Sequence, residues 1–238
     1  MRVLILGDIH GKFKSADAHY EAIIQAHKEP DLMIVVGDMG FWPQTSKPWT
    51  RTFNHPCVFV DGNHEDHWTL RAMTRGDADW GIVGGPSKGW KDMMDSWEYM
   101  PRGTIRDGIL YIGGARSINT RHAIRGVNWF PEENISHEEQ QFIYDEIVSY
   151  GPDNIHTMIT HDAPAVFDVS EGCTQTGREI VDGNRKFLDS VRQMVRPTYW
   201  FFGHYHYKLK GNVAGTKFRC IDMVRDNCDT NDYVFIEL

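Results

Sequence analysis

The 238-residue sequence predicts one α/β domain, spanning residues 1–238, with polar side chains at the ends of its buried strands. Three observations support this fold class. Apolar runs rich in Val, Ile and Leu alternate with segments of helical periodicity along most of the chain. Several of these runs end in Gly and then in Asp, Asn or His. The length is ordinary for a single domain of this class, and no repeat, linker or low-complexity segment divides it.

Each predicted strand is a short apolar or β-branched run that ends at Gly or at a polar residue. In chain order these strands are Arg2–Leu6, Leu32–Val36, Val58–Val60, Ile109–Ile112, Ile155–Ile159 and Tyr199–Phe202. Three further runs have antiparallel character: Lys208–Val213, Thr216–Met223 and Tyr233–Leu238. The proline-containing stretch Phe41–Pro56 is predicted as an ordered loop, and the Gly- and Trp-rich stretch Gly76–Gly103 has no assignable pattern.

Helices are predicted where apolar residues recur at helical spacing and a capping residue stands in front. Ser15 is placed to cap the first helix, and Pro30 lies just beyond its end. Ser136 with Glu139 three positions later is a capping box. The four predicted helices run from Ser15 to about His27, from Asp66 to about Thr74, from Ser136 to about Tyr150, and over Lys186–Met194.

The composition narrows the class of protein. Hydrophobic residues make up 41% of the chain and charged residues 24%, which suits a water-soluble domain with a substantial core. A net charge of −8 argues against non-specific binding to nucleic acid or membranes, although bound dications would offset it locally. No segment approaches the roughly 20 apolar residues of a membrane span. The four cysteines form no metal-binding or disulfide pattern, and the chain opens on a strand and not a signal peptide, so a cytoplasmic location is predicted.

Five short segments place potential metal ligands directly after predicted strands. The segments are GDIHG, GDMG, DGNHED, THDAP and GHYH, and they supply Asp8, His10, Asp38, Asn63, His64, His161, His204 and His206. Open α/β sheets place their binding sites at the carboxyl ends of the strands. Carboxylate, imidazole and amide groups suit Mn, Zn, Fe and similar ions, and the set lacks a thiolate. Two cations that share a carboxylate form an apparatus for hydrolysing phosphate esters.

Together these motifs resemble the calcineurin-like metallophosphoesterase superfamily, whose pattern is DxH, GDxx, GNH[DE], a single His after a strand, and GHxH. In this sequence the pattern covers residues 3 to about 210 and is carried by Asp8-Ile9-His10, Gly37-Asp38, Gly62-Asn63-His64-Glu65, Thr160-His161 and Gly203-His204-Tyr205-His206. The resemblance implies the superfamily's fold, a four-layer α/β/β/α sandwich of two mixed sheets. It also implies a dinuclear metal centre in which a metal-bridging hydroxide attacks phosphorus.

The resemblance further implies a role for each ligand. One ion would be held by Asp8, His10 and His206, the second by Asn63, His161 and His204, and Asp38 would bridge the two. His64 would face the phosphate, where its imidazole stabilises developing charge or protonates the leaving oxygen. Either Asp66 or Glu65 is expected to be the partner of His64. Mn is the favoured metal, with Zn, Fe and Ni as alternatives.

The second motif separates this chain from the serine/threonine protein phosphatases of the superfamily. Those enzymes continue as GDxVDRG, whereas this sequence reads GDMGFWP and lacks that Asp and Arg. A protein phosphatase is therefore not the expected activity. Among the other activities of the superfamily, a phosphodiesterase on nucleotide or nucleic-acid-type esters is expected. A small-molecule phosphomonoesterase is the alternative, and a metal-bound, non-catalytic protein-interaction scaffold is the alternative from another class.

A looser resemblance to uncharacterised bacterial and phage members covers Gly113-Gly114-Ala115 with Ser117, and then Gly126–Glu133. Between these pieces lies a basic cluster: Arg116, Arg121, His122 and Arg125. The cluster is predicted to bind the substrate phosphate through fork-like hydrogen bonds, with a solvated surface loop as the alternative. Base stacking on Trp42, Trp90 or Trp129 is a further possibility. Ala163–Gly183 is expected to be either a lid over the site or a plain surface loop.

Overall fold

Two sheets form the centre of the computed structural model, which describes residues 1–118, 120–170, 181–226 and 233–238. The first sheet contains β1 (Arg2–Leu6), β2 (Leu32–Val35), β3 (Cys57–Phe59), β4 (Trp97–Tyr99) and β11 (Tyr233–Glu237). Its order is β11-β1-β2-β3-β4. The strands β1 to β4 are parallel, and β11 pairs with β1 in the opposite direction.

The second sheet has the order β5-β6-β7-β8-β10-β9. It is built from β5 (Thr104–Arg106), β6 (Ile109–Ile112), β7 (Thr157–Thr160), β8 (Tyr199–Phe202), β9 (Leu209–Val213) and β10 (Thr216–Cys220). The four inner strands are parallel, and the edge strands β5 and β9 are antiparallel to their neighbours. Both sheets are therefore mixed, as predicted.

Helices cover the outer face of each sheet. The helices α1 (Phe13–Ala26), α2 (His67–Thr74) and α3 (Lys88–Met94) share an apolar cluster with the first sheet. The helices α4 (His137–Tyr150) and α5 (Gly183–Val195) share another with the second sheet. Two short 3₁₀ turns occupy Pro131–Glu133 and Pro152–Asn154. These layers confirm the predicted α/β/β/α sandwich.

A third apolar cluster fills the space between the two sheets, and it explains why the strands read as continuous apolar runs. Side chains alternate along a strand, so Val3 and Ile5 of β1 point between the sheets while Leu4 and Leu6 point toward the helices. Tyr111 of the second sheet lies in the same inter-sheet cluster. Because β1 is buried on both faces from Val3 to Leu6, neither face carries polar residues there, and polar side chains return only where the strand ends.

The structure differs from the sequence prediction at the start of the first helix, in the stretch Gly76–Gly103 and at β5, a strand that the sequence pattern does not predict. The first helix begins at Phe13, with Lys12 as its N-cap, because the turn at Gly11 leads directly into the helix. Ser15 therefore lies inside α1, where its hydroxyl donates to Asp226 at 2.8 Å. The stretch Gly76–Gly103, which has no assignable pattern in sequence, contains α3 and β4. Both elements are short and depend on packing of the tryptophans within the first apolar cluster.

The described residues bear on the predictions about the cysteines, the membrane spans and the loop before β3. Cys57 and Cys220 are buried free thiols, whereas Cys173 and Cys228 lie outside the described residues. Within the described ranges, the helices are all too short or too polar to cross a membrane. The stretch Phe41–Pro56 is a loop without regular secondary structure, as predicted.

The capping box of α4 provides a test of local helix stability. The Ser136 hydroxyl accepts from the Glu139 backbone N–H, and the Glu139 carboxylate accepts from the Ser136 N–H. We expect Ser136→Ala to lower the free energy of unfolding by about 1 kcal/mol, because a backbone N–H of the first turn loses its acceptor. As a control, Ser190→Ala in α5 removes a hydroxyl that bonds only back to the Lys186 carbonyl. Chemical denaturation showing equal effects of the two changes would contradict this assignment.

Candidate metal centre

The carboxyl ends of strands from both sheets meet at one place. In the first sheet, Asp8 follows β1, Asp38 follows β2, and Asn63 follows β3. In the second sheet, His161 follows β7, and His204 lies two residues beyond the end of β8. Hydrogen bonds join the two sheets at this edge, since the backbone N–H of His204 donates to the Asp8 carboxylate at 3.1 Å. The sequence prediction that the motifs converge is therefore reproduced in three dimensions.

The first group of ligand atoms comes from Asp8, His10, Asp38 and His206. One nitrogen or oxygen atom of each residue lies within 4.8 Å of all the others. His206 Nε2 lies 3.1 Å from Asp8 Oδ2 and 3.0 Å from His10 Nε2. His10 Nε2 lies 3.6 Å from Asp38 Oδ2. Such a set of two carboxylates and two imidazoles around one small space can hold a metal ion.

The second group faces the same Asp38 carboxylate and combines Asn63 of the first sheet with His161 and His204 of the second. His161 Nε2 lies 3.4 Å from Asp38 Oδ2 and 3.3 Å from Asn63 Oδ1. The opposite ring nitrogen, Nδ1, lies 2.8 Å from the carbonyl oxygen of Val36. A Nδ1–H that donates to this carbonyl leaves the Nε2 lone pair free for a metal. The His204 ring packs edge-on against the His161 ring, with centroids 5.1 Å apart.

The chemistry of these atoms fits divalent cations. The described ligand atoms are carboxylate oxygen, amide oxygen and imidazole nitrogen, which suit Mn, Fe, Zn and Ni. Burial alone lowers the pKa of His161, but the Asp38 and Asp8 carboxylates outweigh it and raise that pKa to about 10. Burial and the neighbouring His161 instead lower the pKa of His204 to about 3. Adjacent histidines with opposite shifts are typical of a functional site.

Four of the predicted ligands have left-handed backbone conformations. The φ angles are 50° at His10, 48° at Asp38, 69° at His204 and 55° at His206. Such angles are uncommon for residues with a side chain, and they concentrate at sites where the surrounding structure enforces them. The loops therefore turn sharply after each strand and direct these side chains into one space.

Glycines permit the close approach of the two sheets at this edge. A Cβ atom on Gly203 would lie 2.1 Å from Asp8 Oδ1, and one on Gly37 would lie 2.2 Å from His161 Nδ1. Any larger residue at these positions would displace a predicted ligand. Packing therefore requires both glycines: Gly37, which precedes Asp38, and Gly203, which precedes His204.

His64 lies beside the first group but is exposed. Its ring centroid is 5.2 Å from that of His10, and its backbone N–H donates to Asp38 Oδ1 at 2.8 Å. Neither carboxylate considered as its partner fits that role. Both oxygens of Glu65 accept backbone N–H groups at 2.6 Å. Asp66 caps α2 by accepting from Thr69.

The predicted basic cluster lies on the loop after β6, away from regular secondary structure. Its members Arg116, Arg121, His122 and Arg125 are all exposed. Their binding of substrate stays a prediction. Of the candidate stacking residues, Trp90 is buried and donates to the Ser46 carbonyl at 3.1 Å, so this part of the prediction is wrong. Trp42 is half-buried and donates to the His64 carbonyl at 3.0 Å. The possible lid Ala163–Gly183 falls partly outside the described residues, which omit 171–180.

The sequence prediction missed the polar contacts behind the metal ligands. Ser117 accepts a hydrogen bond from the Asn63 amide and donates one to Glu133. Asp61 forms a buried ion pair with Arg102, at 2.6 Å. Ser117 and Glu133 belong to the looser sequence resemblance, so a signal existed without an assigned role. Arg102 stands alone in sequence, and no motif identifies it.

A comparison with protein families agrees with this geometry. The family profile described as "Calcineurin-like phosphoesterase" matches residues 1–208. The chain belongs to this family. As a calcineurin-like phosphoesterase it is a metal-dependent phosphoesterase, and the metal centre of the family is dinuclear. The possible metal-binding group of Asp and His residues described above is consistent with that membership.

Solved structures resemble this chain at low sequence identity. The crystal structure of TT1561 from Thermus thermophilus has the same fold: it is 9% identical, with a TM-score of 0.54, and the match covers 99% of this chain and 98% of that one. The phosphopantetheinyl hydrolase PptH from Mycobacterium tuberculosis is 12% identical, with a TM-score of 0.44, covering 98% and 95% of the two chains. No curated protein matches this calcineurin-like phosphoesterase in sequence.

The glycine contact beside Asp8 generates a test. In Gly203→Ala, the added methyl group would lie 2.1 Å from Asp8 Oδ1, so the carboxylate must move. We expect Mn²⁺ affinity to fall by roughly 10- to 100-fold, as when a ligand loses its orientation. Gly183→Ala is the matched control because no atom lies within 4 Å of its added carbon. Metal analysis after dialysis should separate the two; equal Mn²⁺ retention would contradict the packing argument.

The raised pKa of His161 predicts that metal binding releases a proton. With a pKa of about 10, its imidazole is cationic in the metal-free protein at neutral pH. A ligating histidine must be neutral, so the proton competes with the metal, and affinity should rise with pH below that value. Calorimetry at about pH 8 in buffers of different ionisation enthalpy should detect at least one released proton per chain. Heats that do not depend on the buffer would contradict this expectation.

Proposed function

We propose that this calcineurin-like phosphoesterase is a dinuclear phosphodiesterase that hydrolyses nucleotide or nucleic-acid-type esters, with Mn²⁺ as the favoured metal. The observation that carries the proposal is the position of Asp38. Its Oδ2 lies between His10 Nε2, at 3.6 Å, and His161 Nε2, at 3.4 Å. One carboxylate that faces ligands from two sheets is suited to serve two ions at once.

The arrangement supports the ligand roles that the family resemblance implies. Asp8, His10 and His206 would hold one ion, Asn63, His161 and His204 would hold the other, and both ions would share Asp38. Two cations at these positions would supply water activation near neutral pH and stabilisation of charge on the phosphoryl oxygens. The buried Asp8, Asp38 and His161 side chains fix the position of this chemistry at the end of both sheets.

His64 is the proposed catalytic side chain. Its backbone is anchored to Asp38, whereas its ring is exposed beside His10. An exposed imidazole next to the ligand groups can contact a bound ester without occupying a metal position. There it stabilises charge on the phosphoryl group or donates a proton to the leaving oxygen.

The loop after β6 supports the substrate class. The basic residues Arg116, Arg121, His122 and Arg125 can pair with phosphate. The same loop exposes apolar side chains, with Ile124 58% exposed and Val127 60% exposed. A surface that combines cationic and apolar groups suits an ester that carries an organic group, such as a nucleoside, on the phosphate. A small-molecule phosphomonoesterase is the second candidate, supported by the same cationic residues.

Two further features belong to this proposal. Ligands from residue 8 to residue 206 converge on one space, which supports a single catalytic domain over residues 1–238. The buried free thiols Cys57 and Cys220 support a reducing, cytoplasmic location. The full set of ligand types disfavours the alternative of a scaffold without catalysis.

A comparison of two model esters tests the substrate class. The Mn²⁺-loaded protein is expected to turn over bis(p-nitrophenyl) phosphate faster than p-nitrophenyl phosphate, measured as kcat/KM at matched metal concentration. Faster monoester turnover would favour the phosphomonoesterase. Retained metal without hydrolysis of either ester, or of a wider phosphoester panel, would favour the scaffold.

A pair of variants tests the separate duties of His64 and Asp38. His64→Ala should keep both metal ions and lower kcat by roughly 10²- to 10⁴-fold, the usual contribution of general acid–base catalysis. Asp38→Ala should lose at least one ion per chain, because it removes the shared carboxylate. Metal analysis and kcat are measured on the same preparations. An equal loss of metal in both variants would show that the role assigned to His64 is wrong.

A further inference from the structure

The Asn63 side chain has two ends, and each end has a different neighbour. Its Oδ1 lies 3.3 Å from His161 Nε2, inside the second ligand group. Its Nδ2 donates to the Ser117 hydroxyl oxygen at 3.2 Å. An amide is useful as a metal ligand only through its oxygen, because the NH₂ end has two donors and no lone pair to offer. The orientation of this amide therefore decides whether Asn63 can ligate at all.

The direction of hydrogen bonding is set by Glu133. Its Oε1 accepts from the Ser117 backbone N–H at 2.8 Å, and its Oε2 accepts from the Ser117 hydroxyl at 2.7 Å. Burial raises the pKa of Glu133, and the two hydrogen bonds from Ser117 oppose that shift by stabilising the carboxylate, which can only accept. The single hydroxyl proton of Ser117 is thus used toward Glu133. Toward Asn63, the hydroxyl oxygen can act only as an acceptor, so it must face the NH₂ end.

Arg102 fixes the distance between the two ends of this chain of hydrogen bonds. Its guanidinium donates to Asp61, two residues before Asn63, at 2.6 Å. It also donates to the main-chain carbonyls of Glu132, at 2.9 Å, and of Glu133, at 3.1 Å. The loop that carries Asn63 and the turn that carries Glu133 are therefore held by one buried cation.

The glycine pair after β6 makes room for this arrangement. A Cβ atom on Gly113 would lie 2.0 Å from Asp61 Oδ1, and one on Gly114 would lie 2.6 Å from Arg102 Nη2. The chain can therefore pass directly over the Asp61–Arg102 ion pair and deliver Ser117 to Asn63. This contact gives a physical reason for the Gly-Gly-Ala-x-Ser pattern in the sequence.

We propose that Ser117 and Glu133 are positioning residues that orient the Asn63 amide oxygen toward the second metal ion. The proposal rests on the proposed function, since it requires Asn63 to be a ligand. Ser117 and Glu133 touch neither metal nor substrate and act through Asn63. Without them the amide can rotate by half a turn and present its NH₂ group to the metal position.

The test compares metal affinity at the two positions. Mn²⁺ titrations are performed on the full chain, on Ser117→Ala and on Glu133→Gln, with Asn63→Ala as the reference for complete loss. Each positioning variant should lower the affinity for one of the two Mn²⁺ ions by roughly 10- to 100-fold and leave the affinity for the other unchanged. The Mn²⁺ concentration for half-maximal turnover should rise by the same factor, while KM for the ester at saturating Mn²⁺ stays constant.

Matched controls separate positioning from general damage to the fold. Ser136→Ala and Glu138→Gln make the same chemical changes at the start of α4, and both should keep wild-type affinity for both ions. Wild-type affinities in Ser117→Ala and Glu133→Gln would overturn the proposal. If these two variants lose affinity for both ions equally and also have a lower Tm, the proposal is likewise overturned. If the wild-type chain itself binds one ion or hydrolyses no phosphoester, the proposed function fails, and this inference fails with it.

Discussion

The metal centre depends on the contact of two sheets at distances that only glycine permits. Gly37 places the end of β2 against the His161 imidazole, and Gly203 places the end of β8 against the Asp8 carboxylate. The inter-sheet core holds the strands face to face, and these two contacts bring their ends together. Because the proposed ligands come from both sheets, neither sheet alone contains a complete site.

This contact has an electrostatic consequence. It buries the carboxylates of Asp8 and Asp38 together with the imidazole of His161, and His204 lies half-buried beside them. Asp38 and His161 stabilise each other's charged forms, since His161 lowers the pKa of Asp38 and Asp38 raises that of His161. A bound divalent cation would replace the proton on the His161 imidazole as the positive charge beside Asp38. Such cations would also stabilise the folded chain, because the unfolded chain lacks the assembled ligands.

Much of the fold and of the ligand set could be predicted from the sequence, because those signals are local. Strands such as Arg2–Leu6 are buried on both faces from Val3 onward, so they are apolar up to the segment that carries the proposed ligands. The capping box at Ser136 is likewise complete within four residues. The short β5 is also local, since it forms a hairpin with β6 through the turn Asp107-Gly108, and yet the sequence prediction missed it. The role of Arg102 could not be predicted, since it depends on contacts between distant parts of the chain. Arg102 joins Asp61 to Glu139, and no spacing rule links those positions.

The claim at the centre of this account is that Asp38 is shared by two metal ions. It is tested most directly by the anomalous scattering of crystals grown with Mn²⁺. The account predicts two peaks, roughly 3.5–4 Å apart, on either side of the Asp38 carboxylate. One peak should contact His10 and His206, and the other should contact Asn63 and His161. A single peak, or two peaks that do not share Asp38, would contradict it.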